Sequence, residues 1–119
     1  VSNTAWKRKP PDHYLVQGDT GRQVTDQLID GAGLPVDLSI GSPTVKYLLY
    51  GPGSAAAKVN AAATIVTPAS GIVRYAYLVG DIDTHGDYIE EWQVTTGSSV
   101  VTYPEPTPHK VRVREQVGS

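Results

Sequence analysis

Apolar and polar residues alternate along the chain in short stretches separated by turn residues roughly every 8–12 positions, the pattern of strands rather than helices. Residues 13–17 (HYLVQ) form the first stretch, closed by Gly18-Asp19-Thr20-Gly21. Residues 23–29 (QVTDQLI) end at Asp30-Gly31, a tight-turn pair in which Gly accepts positive φ without a Cβ penalty. Residues 34–40 (LPVDLSI) place Leu34, Val36, Leu38 and Ile40 on one face, and 44–50 (TVKYLLY) stop at Gly51-Pro52-Gly53. The six alanines of 54–63 favour a helix on propensity. Flanking glycines and the β-branched run at 64–67 leave little room for one, so the segment reads as a loop entering a strand at 62–67. Residues 72–78 (IVRYAYL) carry Val73, Tyr75 and Tyr77 on one face. Residues 87–95 (DYIEEWQVT) set Tyr88, Glu90, Trp92 and Val94 opposite Ile89, Glu91, Gln93 and Thr95. After a turn at 96–98 comes a strand at 100–103. Three prolines between 103 and 108 exclude that run from a central strand. The last strand, 110–115 (KVRVRE), turns Val111 and Val113 inward and Arg112 and Arg114 outward. The pattern predicts an all-β fold, an antiparallel β-sandwich of seven or eight short strands. Its expected core is Val36, Leu38, Val73, Tyr75, Tyr77, Tyr88, Trp92, Val94, Val111 and Val113.

A chain of 119 residues suits one domain. Residues 1–12 (VSNTAWKRKPPD) lack alternation and read as an extended arm, leaving 13–119 for the sandwich. Trp6, Lys7, Arg8, Lys9, Pro10 and Pro11 resemble a contact anchor, a ring beside cations on a stiffened backbone, and are the expected partner-binding residues. A net charge of -2 argues against nucleic acid as a partner. No apolar run approaches the roughly 18 residues that span a bilayer, and no signal-peptide pattern opens the sequence. The absence of cysteine removes disulfides, Cys-ligated zinc and thiol chemistry. With no methionine, the sequence reads as a processed product or a fragment. Its rings are seven Tyr and two Trp without Phe, and their polar tips suit half-buried positions.

Candidate chemistry is sparse. Asp81, Asp83 and Gly86 fall at positions 1, 3 and 6 of a calcium loop, but His85 and Trp92 stand where two oxygen ligands are needed. The loop is therefore expected to use its Asp side chains on local backbone. His13, His85 and His109 lack a second ligand at any motif spacing. Glu90 shares a face with Tyr88 and Trp92, which suggests a rim position, a partner such as Arg74, or less simply a catalytic acid. Gly31-Ala32-Gly33 and Gly51-Pro52-Gly53 do not lead into helices and are not phosphate cradles. The reading assigns no catalytic residue, no metal ligand and no cofactor.

Taken in order, Gly18-Asp19-Thr20, Gly33-Leu34-Pro35-Val36-Asp37-Leu38, Gly71-Ile72-Val73-Arg74-Tyr75 and Gly86-Asp87-Tyr88 with Glu91-Trp92-Gln93-Val94 resemble the N-terminal domain of phage baseplate upper proteins, over about residues 15–115. The resemblance implies an immunoglobulin-like sandwich in a virion, without enzymatic activity. Its expected partners are other phage structural proteins (major capsid, tail or baseplate subunits), met in many copies, with no nucleic acid and no membrane. Capsid decoration and a tail or baseplate place both fit. Two rivals stand beside it: a carbohydrate-binding or host-adhesion module using Tyr and Trp as stacking platforms, and a hydrolase built on Glu90 and Asp83.

Overall fold

The structure is a computed structural model and describes residues 12–53, 56–104 and 108–117. Nine strands form among them: β1 (His13–Val16), β2 (Gln23–Gln27), β3 (Thr44–Tyr50), β4 (Ala57–Ala62), β5 (Thr64–Thr67), β6 (Ile72–Ala76), β7 (Gly86–Thr96), β8 (Ser99–Tyr103) and β9 (His109–Arg114). One sheet has the order β1-β9-β7-β3-β4, with β8 also on β7; the other is β2-β6-β5. This order is that of an immunoglobulin-like sandwich. It is not wholly antiparallel, because β1 runs parallel to β9, pairing His13 with Val111 and Leu15 with Val113. Both β8 and β9 lie along β7, β8 against Trp92–Thr96 and β9 against Gly86–Glu90. They act as one strand interrupted where prolines cannot donate to the ladder, its β9 half covered on the other side by β1.

Alternation puts Tyr47, Leu49, Tyr88, Trp92, Val111 and Val113 of the larger sheet against Val24, Val73 and Tyr75 of the smaller, all buried. Leu38, Tyr77 and Val94 are buried with them, and Val36 is partly buried against the cluster. The Tyr47 ring stacks on Tyr75 at 4.6 Å and meets Trp92 edge-on at 4.8 Å, so aromatic contacts span the two sheets.

Two segments differ from the alternation. Residues 34–40 are irregular, with a turn at Leu38-Ser39 and a single bridge between Ile29 and Pro35, and Leu34 and Ile40 are exposed. Asp30 Oδ1 accepts the N–H groups of Ala32 and Leu34, and Asp37 Oδ1 that of Ser39. These local bonds occupy the N–H groups of Leu34 and Ser39, while those of Val36 and Leu38 go to Leu28 O and Pro68 O, so no continuous ladder forms. The alanine-rich segment makes a strand, β4, earlier than expected, and the chain changes sheets at Ala63, whose N–H bonds Val45 O at 2.8 Å.

Candidate metal centre

Four ionisable side chains lie on the apolar faces of four strands. His13 alternates with Leu15 on β1, Asp26 with Val24 on β2, Glu90 with Tyr88 and Trp92 on β7, and His109 with Val111 on β9. The register sets Glu90 directly across from His109, and β1 adds His13 from the far side of β9. Asp26 reaches them from the opposite sheet. One potential ligand atom from each residue lies within 4.8 Å of all the others. Glu90 has 0% exposure, and among the described residues it is the one charged side chain that is fully buried. Asp26 is mostly buried, and each imidazole keeps about a quarter of its surface exposed.

His13 Nε2 lies 3.2 Å from Glu90 Oε1 and 3.3 Å from Asp26 Oδ1. His109 Nδ1 lies 3.3 Å from Glu90 Oε1 and 3.6 Å from Asp26 Oδ2. The outward carboxyl oxygens have donors of their own. Tyr47 donates to Glu90 Oε2 at 2.6 Å, and Trp92 Nε1 donates to Asp26 Oδ2 at 2.8 Å. Because Tyr47 gives its proton to Glu90, the Tyr77 hydroxyl beside it donates to Tyr47. A cleft of about 130 Å³, lined in part by Trp92, Tyr103, Pro104 and His109, opens beside the cluster.

Hydrogen bonding to Asp26, then to Glu90, raises His13 to about 10 and His109 to about 9, against the opposing pull of burial. Burial pushes the Asp26 carboxyl up, but the bonds from His109 and His13 outweigh it and hold the group well below its ordinary range. Burial, then the neighbouring Glu90 charge, lifts the Tyr47 hydroxyl well above its usual value.

The site differs from the sequence expectation. Glu90 is not at a rim and its partners are His13, His109 and Tyr47 rather than Arg74. Two of the histidines set aside for lack of spacing meet edge-to-face at 5.8 Å. Asp26 was missed entirely. The common signal is a titratable residue on the apolar face of each of four strands, visible only once the strands are considered together. His85 stays outside the cluster, near Glu115 at 3.6 Å. In the acidic loop, Asp81 Oδ2 accepts from Tyr75 and from the Leu78 N–H, while Asp83 pairs with Lys58 at 2.8 Å. Trp92 is core, away from any loop ligand position. The arm residues Trp6, Lys7, Arg8, Lys9, Pro10 and Pro11 lie outside the described residues; Asp12 bonds Lys110 through both its N–H and its carboxylate.

No protein-family model matches the chain, and no curated protein matches it.

Proposed function

We propose that the chain is a non-enzymatic structural module of a bacteriophage particle, docking in many copies onto capsid, tail or baseplate subunits. The observation that carries the reading is where its side chains point. Chemistry-bearing groups face inward and pair with one another, while large apolar side chains stay at the surface. Tyr14, Ile89 and Val100 are 60%, 45% and 55% exposed, and alternation puts them on the outer face of the larger sheet. Of the phage-like sequence pieces, Val73 and Tyr75 lie on β6 and Tyr88, Trp92 and Val94 on β7, in keeping with the reading, whereas Gly18-Asp19-Thr20 and residues 34–38 lie between strands rather than on them. A glycan platform is less well supported, because among the described Tyr and Trp residues only Tyr14 is well exposed, Tyr50 is half-buried, and Tyr47, Tyr75, Tyr77, Tyr88, Tyr103 and Trp92 are buried. A hydrolase is also less well supported. Glu90 is wholly buried, and the nearby cleft lined by Trp92 and His109, at about 130 Å³, is below the roughly 300 Å³ at which small-molecule sites begin.

The test is uptake by particles assembled without this chain. Full-length protein is expected to bind them at a fixed copy number, and protein lacking residues 1–11 to keep its Tm but lose most of its occupancy. Trp6→Ala alone should account for much of that loss. Full-length protein that fails to bind any such particle rejects the reading. Equal occupancy with and without the arm moves the contact to the sandwich face.

A further inference from the structure

We propose that His13, Asp26, Glu90 and His109 bind one transition-metal ion, with Zn²⁺ the best match, and that the ion ties the two sheets together. The argument starts from spacing. Zinc bonds to imidazole nitrogen and carboxylate oxygen are about 2.0–2.2 Å, so neighbouring ligand atoms of a tetrahedral site stand about 3.3–3.6 Å apart. The histidine nitrogens here stand 3.2 and 3.3 Å from Glu90 Oε1, and 3.3 Å (His13 to Oδ1) and 3.6 Å (His109 to Oδ2) from Asp26, within a set of four ligand atoms that lie no more than 4.8 Å apart. A cluster held only by charge-assisted hydrogen bonds would close to about 2.7–2.9 Å. Direction points the same way. Each histidine nitrogen stands between two carboxyl groups at nearly equal distance, and in the metal-free protein its proton is shared with them. A lone pair aimed at a shared centre faces both.

The surroundings fit a ligand shell. Metal-bound carboxylates are held by donors on their second oxygen. Glu90 Oε2 has Tyr47, which leaves Glu90 Oε1 between the two histidines; Asp26 Oδ1 faces His13, while Oδ2, which takes the Trp92 N–H, also lies 3.6 Å from His109. Two imidazoles disfavour Ca²⁺ and Mg²⁺, which take oxygen ligands. Two nitrogens and two oxygens in four-coordinate array favour Zn²⁺ over metals that prefer square or octahedral sites. Four protein ligands close the shell, the arrangement of a structural rather than a catalytic zinc. Three of the ligands come from β1, β7 and β9 of one sheet, and Asp26 comes from the other.

Chelator-treated full-length chain, titrated with Zn²⁺, is expected to bind one equivalent. Its Tm should rise by roughly 10 °C at a hundredfold excess of ion over Kd. Co²⁺ in its place should give the intense visible absorption of a four-coordinate ion. His13→Ala/His109→Ala should lose both responses while keeping a strand-type circular dichroism spectrum, since both side chains are partly exposed. His85→Ala should keep them. If the double variant does not fold, His13→Gln serves instead and should weaken Zn²⁺ affinity at least about tenfold. A wild-type Tm unmoved by Zn²⁺, a six-coordinate Co²⁺ spectrum, or affinity unchanged in the folded His13 variants overturns the proposal.

Discussion

Glu90 shows how much a single residue depends on its neighbours. Wholly buried, its carboxyl is held by the Tyr47 hydroxyl and faces two imidazoles. Tyr47→Phe leaves a buried oxygen with one donor fewer and should cost about 1.5–3 kcal/mol, read by urea denaturation. The histidines set a pH dependence in the metal-free protein. Their folded values, about 10 and about 9, lie above the unfolded 6.5. Their contribution is therefore complete below pH 6.5 and lost as pH rises through 9 and then 10. Asp26 is shifted the other way, so its contribution holds above its unfolded 3.8 and falls away in stronger acid. Tm measured against pH in chelator should decline from neutral toward alkaline pH, and His13→Ala/His109→Ala should flatten that decline. The oddity of Glu90, an acid between Tyr88 and Trp92, was legible in the sequence. Its partners were not, because they come from strands 19, 43 and 77 positions away.

At the scale of elements, alternation predicted most strands to within a residue or two, since inward Val, Tyr and Trp side chains leave a clear period in β6, β7 and β9. It misled at 34–40, where Asp30 and Asp37 cap turns and the apolar spacing has no ladder behind it. The alanines of β4 hid a strand for the opposite reason, having little side chain with which to mark a face. The turn into β6 has a stricter requirement. Gly71 has φ +67, and a Cβ there would come within 2.6 Å of Val36 O. Gly97 has φ +60 but open space around it. Gly71→Ala should thus cost several kcal/mol, and Gly97→Ala only about 1 kcal/mol, when both are compared by denaturant midpoint. In β7, Trp92→Ala should cost roughly 3–5 kcal/mol, because the indole fills the space between the sheets and also bonds Asp26. Millimolar Ca²⁺ should leave Tm unchanged, since Asp81 and Asp83 are committed to Tyr75, Leu78 and Lys58.

Across the whole molecule, the order of strands places the first beside the last, and Asp26 joins that edge to the smaller sheet through His13 and His109. In antibody domains the strands corresponding to β2 and β7 are joined by an inter-sheet disulfide. This chain has no cysteine, yet Asp26 and Glu90 lie on those same two strands. A joint made of imidazole and carboxylate needs no oxidant to close. It forms as readily in a reducing compartment as outside the cell, and it opens to a chelator or to acid where a sulfur bridge would hold. The sandwich thereby gains a cross-sheet clasp that can be released and remade without breaking a covalent bond.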